Sequence, residues 1–200
     1  MGKDKKRAVF LDRDGTINEE VGYLSNPEGF ILIDGSAEAI LRLNRAGLFV
    51  VVVSNQSGVA RGYFTEDDVK RVNDRMIEEL EKVGARLDRI YYCPHHPEVG
   101  DGKYRVKCRC RKPMPGMIEE AEKMLPIDVS RSFVVGDHIG DIELAHNVGA
   151  SSVFVLTGHG GEEYEKMIEK GVIPDHTADD PRAAVDIILK KLERVDENGS

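Results

Sequence analysis

Four short clusters of reactive side chains stand out, and three of them follow apolar runs. Asp12-Arg13-Asp14-Gly15-Thr16 comes after Ala8–Leu11, Ser54-Asn55-Gln56 after Leu48–Val53, and Gly136-Asp137-His138-Ile139-Gly140-Asp141 after Ser132–Val135. The fourth, Arg111-Lys112-Pro113, ends a polar segment. Brought into one crevice, Asp12, Asp14, Asp137 and Asp141 would repel one another unless a cation sat among them. A hard divalent ion such as Mg2+ takes oxygen ligands and binds substrate phosphate, so it answers that need. Lys112 and the Ser54 hydroxyl beside it would complete a site for a phosphoryl group. The chemistry these types suggest is phosphoryl transfer to a carboxylate nucleophile.

A second group is softer. Cys93, Cys108 and Cys110 all fall in one short segment, with His95 and His96 beside the first. An odd, clustered set of thiols is no disulfide framework. Three thiolates and one imidazole suit tetrahedral Zn2+, with either His as the fourth ligand.

The elements that must carry these residues alternate. Ala8–Leu11, Leu48–Val53, Ile90–Tyr92, Ser132–Val135 and Ser152–Leu156 are expected strands, β-branched and apolar as buried parallel strands are. Helices are expected over Ser36–Ala46 with Ser36 as N-cap, Thr65–Val83, Pro115–Leu125, Asp141–Val148, Glu162–Lys170 and Pro181–Leu192. Pro94–Lys112 reads as irregular and Asp196–Ser200 as a frayed tail. Strands alternating with helices give an α/β fold with a mainly parallel sheet, whose site lies at the carboxyl ends of the strands.

Composition narrows the function. The 200 residues are 40% hydrophobic and 32% charged, which suits one domain spanning 1–200. The longest apolar run, Leu48–Val53, is far short of the ~20 residues of a membrane span. No apolar core follows the basic Met1–Arg7, so it is no secretory signal, and Lys6 stands where a myristoylation site wants Ser or Thr. A net charge of −8 disfavours nonspecific nucleic-acid binding. The expectation is a cytoplasmic monomer without membrane or nucleic-acid partners.

Asp12-x-Asp14-x-Thr16, Ser54, Lys112 and Gly136-Asp137-x-x-x-Asp141 together resemble the four ordered motifs of the haloacid dehalogenase (HAD) superfamily of phosphatases. The resemblance implies a Rossmann-like fold and specific roles. Asp12 would be the nucleophile, and Asp14 the acid that protonates the leaving alcohol and then the base that activates water. Ser54 and Lys112 would hold the phosphoryl oxygens. Mg2+ would sit on Asp12, Asp137 and the backbone carbonyl of Asp14, with Asp141 behind. Thr16 would orient the Asp14 region, and a flap over Ile17–Tyr23 would cover the site. No insertion is long enough for a cap domain.

Cys93-Pro94-His95-His96-Pro97 and Cys108-Arg109-Cys110-Arg111-Lys112-Pro113, with Gly22-Tyr23 and Ser54-Asn55-Gln56-Ser57-Gly58, are similar to the heptose-1,7-bisphosphate 7-phosphatase subfamily and the related histidinol-phosphatases. That likeness selects His95 over His96 and implies a structural Zn2+ on Cys93, His95, Cys108 and Cys110. It implies substrate contacts from Glu20, Val21, Gly22, Tyr23, Ser54, Asn55, Gln56, Ser57, Arg111 and Lys112, with Arg111 on the part of the substrate that is not cleaved. His138 departs from the Lys common after the fourth-motif Asp and is carried as a further substrate contact. The implied reaction is Mg2+-dependent removal of the 7-phosphate from a heptose bisphosphate, in heptose and lipopolysaccharide biosynthesis. Histidinol-phosphate hydrolysis is the near alternative, and a zinc-stapled binding module without catalysis the distant one. Arg61, in a Gly-flanked loop near the site, is a further candidate; His159 carries no assignment, and His146 and His176 read as structural or solvated.

Overall fold

The computed structural model describes residues 5–197. Six parallel strands form one sheet in the order β3-β2-β1-β4-β5-β6. They are β1 (Ala8–Leu11), β2 (Phe49–Asn55), β3 (Arg89–Cys93), β4 (Phe133–Gly136), β5 (Ser151–Val155) and β6 (His176–Ala178). This is the doubly wound order, and it reverses between β1 and β4, where such sheets open a crevice at their carboxyl ends. β1 is central and wholly buried because both of its faces are covered.

Alternation along the strands divides the core. Val9, Leu11, Val50, Val52 and Val135 face one side, where α1 (Ser36–Arg45), α2 (Glu66–Glu81) and α6 (Pro181–Glu197) supply Ile40, Leu43, Val72, Met76 and Ile188. Ala8, Phe10, Val51, Val53 and Val134 face the other, against Met117, Ile118 and Ala121 of α3 (Gly116–Met124) and Leu144 and Ala145 of α4 (Ile139–Val148). α5 (Gly160–Glu169) joins α4 through Met167 packed with Ile139, Ile142 and Phe154. No helix among the described residues is long and apolar enough to cross a membrane.

The expected strands and helices all form, with boundary shifts such as α5 beginning two residues early at Gly160, and four differences bear on the argument. β6 was not anticipated: His176-Thr177-Ala178 is short and polar, and it pairs with β5 only at the sheet edge. Ser36 is not the cap of α1 but its first residue, with its buried hydroxyl unpartnered; Gly35, at φ 78°, precedes it and leaves room for the Arg182 side chain. α4 begins at Ile139, two residues early, because His138 Nδ1 accepts from the Gly140 N–H while Asp141 accepts from the His138 N–H. Asp196 and Glu197 continue α6 rather than fraying, and the remainder of that tail lies outside the described residues.

Between β1 and α1 the chain makes an excursion. Ile33 N–H donates to Ile17 O and Glu19 N–H to Ile31 O, closing a small loop that carries Glu20–Tyr23 past the ends of the strands. The expected flap therefore extends to Ile33, and no separate cap is built from it.

Candidate active site

The floor of the crevice is a cluster of carboxylates around one ammonium. Asp12 continues β1, its N–H donating to Val135 O at 2.9 Å. Lys112 Nζ lies 2.9 Å from Asp12 Oδ2 and 2.6 Å from Asp141 Oδ1. Carboxylate oxygens of Asp12, Asp137 and Asp141 fall within 4.8 Å of one another, and all three lie deep in the fold. Burial and the charges of Asp12 and Asp141 push Asp137 up to about 8. Burial pushes Asp141 up to about 7 despite its bond to Lys112. The same carboxylates hold Lys112 above its ordinary value although burial opposes its charge. One ammonium cannot neutralise three carboxylates, so the cluster is short of positive charge. Its donors are all oxygen, which fits a hard divalent cation. The side chain of Asp14 is not part of this cluster.

Two glycines allow the crowding. A Cβ on Gly15, at φ 75°, would stand 2.1 Å from Asp137 Oδ2, and one on Gly158 2.3 Å from the same oxygen. The His159 N–H donates to that oxygen at 2.8 Å, and Thr157 Oγ1 donates to Gly15 O at 2.6 Å. The loop after β5 thereby clasps the loop after β1.

Asp14 is held by donors. Arg13 meets it through two nitrogens, with the closest contact 2.8 Å, Asn18 Nδ2 reaches Oδ1 at 3.0 Å, and Gln56 Nε2 reaches Oδ2 at 2.8 Å. Burial alone would raise this carboxyl, but the Arg13 charge and these donors outweigh it and hold it below the usual range. Arg13 is itself only 1% exposed and is tied to α2 through Asn73 Oδ1 at 3.0 Å. The Thr16 hydroxyl, expected to orient this region, is buried without a partner; Asn18 does the work.

β2 delivers Ser54, Asn55 and Gln56. The second bond of Gln56 Nε2 goes to Ser54 Oγ at 2.8 Å. Asn55 clamps the Lys112 backbone from both sides, Oδ1 accepting from its N–H and Nδ2 donating to its O. Both residues border the cavity, and their side-chain amides also brace Asp14 and Lys112.

Above the floor lies an open cavity of about 490 Å³. Its walls include Glu20, Gly22, Tyr23, Ser57, Arg111 and His138, and also His159. Val21 does not line it; its side chain faces solvent. Burial and the Asp14 charge raise Glu20, whose carboxylate stands 3.8 Å from His159 Nε2. Burial pushes His138 below its ordinary value, against Glu163 at 3.7 Å.

The segment from Cys93 to Lys112 borders the cavity as a folded loop. His96 N–H donates to Tyr104 O and Val106 N–H to His96 O, and the Tyr104 hydroxyl donates to Glu66 of α2 at 2.6 Å. Cys93, Cys108 and Cys110 place their sulfurs 3.2–3.5 Å apart, and His95 Nδ1 lies 3.3 Å from Cys110 and 3.7 Å from Cys93. A tetrahedral metal with bonds of about 2.3 Å to sulfur has ligand edges of about 3.8 Å, so the four atoms already surround a point. Burial pushes the Cys93 thiol up, and a bound cation would reverse that. His96 turns its Nδ1 to the N–H groups of Glu98 and Val99 instead. Arg111, which follows Cys110, donates from Nη1 to His95 O at 3.2 Å.

Known proteins agree with this architecture. The Hydrolase_like family model, described as HAD-hydrolase-like, matches residues 109–184. D-glycero-beta-D-manno-heptose-1,7-bisphosphate 7-phosphatase of Rhodopseudomonas palustris is 48% identical over 145 residues, covering 72% of this chain and 81% of its own. The enzyme of the same name from Haemophilus influenzae is 41% identical over 191 residues, covering 94% and 99%. The crystal structure of D,D-heptose 1,7-bisphosphate phosphatase from B. bronchiseptica, complexed with magnesium and phosphate, superposes with a TM-score of 0.80 at 32% identity, over 92% of this chain and 99% of that one. The chain belongs to the heptose-1,7-bisphosphate 7-phosphatase family of HAD-like hydrolases.

Within this family member, the residues that sequence reasoning missed are those that act through others. Arg13 and Asn73 were invisible because a charged residue in an acidic turn and an Asn on a helix face read as solvated. His159 contributes first through its backbone N–H, which any residue type would supply; its flanking glycines, Gly158 and Gly160, were the available signal of a close approach.

Proposed function

We propose that this protein removes the 7-phosphate of D-glycero-D-manno-heptose 1,7-bisphosphate. The observation that carries the reading is the buried Asp12–Lys112–Asp141–Asp137 cluster under a cavity in which Asp14 is held by a separate set of partners, Arg13, Asn18 and Gln56. Two carboxylates in such different surroundings can take two roles.

Asp12 attacks phosphorus, the bond to the sugar oxygen breaks, and Asp14 gives that oxygen a proton. Water then attacks the phosphorus of the aspartyl-phosphate, losing its proton to Asp14, and the bond to Asp12 breaks, restoring Asp12 and releasing inorganic phosphate. Asp14 begins as a carboxylate; the approaching phosphoryl anion opposes that charge and favours the proton it must carry into the first step. Lys112 and Ser54 face the phosphoryl oxygens, with Lys112 fixed by Asn55 and Asp141. Asp12, Asp137 and the Asp14 carbonyl would hold Mg2+, which when bound draws off phosphoryl charge and keeps the crowded carboxylates ionised. Cys93, His95, Cys108 and Cys110 would hold Zn2+ as a structural staple, with every ligand position filled by protein.

Arg111 and Arg61 disfavour the histidinol-phosphate alternative. Neither guanidinium meets a carboxylate among the described residues, and together they would repel the ammonium of histidinol phosphate. Phosphate release from both heptose bisphosphate anomers and from histidinol phosphate tests the assignment. The expected outcome is at least ~10² higher kcat/KM on one heptose anomer, about 2.7 kcal/mol of discrimination. Asp12→Asn should abolish turnover while the thermal melt and zinc content stay as in the wild type; retained turnover sinks the mechanism.

A further inference from the structure

Arg61 is a half-buried cation that the chemistry above does not use. It lies in the turn between Gly58 and Phe64, both of which border the cavity. Its N–H is fixed to Ser57 O at 3.1 Å, and the Gly62 N–H returns to Val59 O at 3.0 Å, so the turn is rigid. Its guanidinium carbon sits 5.9 Å from the ring centroid of Tyr23, which lines the cavity, and Tyr63 braces that ring edge-on at 4.6 Å. Stacking on an aromatic face leaves the donor edges of a guanidinium free. Its Nε is shielded from solvent and has no hydrogen-bond partner, a state that costs free energy unless a ligand relieves it.

A second guanidinium lies close by. Arg111 borders the same cavity as Tyr23, and its Nη1 donates to His95 O. The 93–112 loop ties Arg61 and Arg111 together. Gly100, at φ 93°, presses against the backbone beside Arg61, where a Cβ would stand 2.0 Å from Ala60 O. A guanidinium on the cavity wall and a second one stacked on another wall residue, Tyr23, suit a dianion.

We propose that Arg61, held on Tyr23, joins Arg111 in gripping the phosphate that is not cleaved, and so sets the preference for a bisphosphate over a monophosphate. This rests on the functional reading above and names a specificity residue within it. The grip acts on a group remote from the reacting phosphorus, so it adds binding rather than chemistry.

The test compares kcat/KM on the heptose 1,7-bisphosphate and on the same sugar carrying only the 7-phosphate, for the wild type, Arg61→Met and Arg61→Lys. Arg61→Met is expected to raise KM for the bisphosphate about tenfold or more, as loss of a charge-assisted contact does, with kcat little changed. On the monophosphate it should stay within about twofold of the wild type. Arg61→Lys, which keeps the charge and loses the fork, should show a smaller loss confined to the bisphosphate, and it carries the test if Arg61→Met does not fold. Equal losses on both substrates, or no loss on the bisphosphate, overturn the proposal while leaving the functional reading intact. A wild type that prefers neither substrate overturns the proposal alone, and one inactive on both overturns the functional reading as well.

Discussion

Gly15 offers a sharp test of how tightly the floor of the site is built. Gly15 and Gly47 have nearly the same backbone, φ 75° and φ 76°, so alanine at either carries the same left-handed cost of about 1–2 kcal/mol. Their surroundings differ completely. Around Gly47 a Cβ meets nothing within 4 Å, whereas at Gly15 it would stand 2.1 Å from Asp137 Oδ2. An ordinary contact is over 3 Å, so the Asp137 carboxylate or the loop must retreat by roughly 1 Å. Asp137 has little room to do so, because the His159 N–H holds the same oxygen and Gly158 also crowds it. Misplacement of a reacting group by about 1 Å costs on the order of 10²-fold. Gly47→Ala should therefore lower the melting temperature by about 2–8 °C and leave kcat/KM within twofold. Gly15→Ala should lower it at least as much, lose about 10² in kcat/KM, and need more Mg2+ for half-maximal rate. The assay is phosphate release over a Mg2+ titration, beside thermal melts of both variants. Equal activity of the two would refute the claim that the position of Asp137 governs the rate.

Two further outcomes are expected. Cys110→Ser removes one corner of the thiol–imidazole cluster next to Arg111; zinc content by metal analysis should fall, with a lower melting temperature and a raised KM for the bisphosphate. Asp175 accepts from the N–H and hydroxyl of Ser152 at 2.8 and 3.0 Å, and although burial opposes it, these bonds hold its carboxyl below the usual range. A depressed carboxyl stabilises the fold above its unfolded pKa and loses that contribution as pH falls through the folded one. Asp175→Asn should thus cost about 1 kcal/mol near neutrality, and its denaturation curve should converge on the wild type's below about pH 4.

The fold was legible because its strands are apolar on both faces and its helices carry strong start and stop signals, as at Thr65, which caps α2 with Asp68 in a reciprocal pair. The acidic, hydroxyl and lysine residues were legible because they stand immediately after those strands. What escaped was held by the third dimension. β6 has three residues and one neighbouring strand, too little pattern to read. Ser36 looked like a cap, but Gly35 takes the turn there because a side chain would strike Arg182. The bracing of Lys112 by Asn55 and of Asp14 by Gln56 escaped too, since an amide's partner cannot be read from its type and both partners lie far along the chain.

The charge distribution explains how a chain of net charge −8 can serve an anionic substrate. At the floor, Asp12, Asp14, Asp137 and Asp141 outnumber Lys112 and Arg13, and both cations are already paired, Lys112 with Asp12 and Asp141 and Arg13 with Asp14. The floor alone would repel phosphate. Arg61, over the Tyr23 ring, and Arg111, on His95 O, are paired with no carboxylate among the described residues. The two ends therefore divide the work. The distal guanidiniums can hold a substrate through a group that does not react, and the floor, crowded with acid, is usable only when a divalent cation makes good its missing charge. Because Cys110, Arg111 and Lys112 are consecutive, the Cys/His cluster fixes one cation of each end at once. A structural metal on that cluster would therefore serve a site whose chemistry it does not touch.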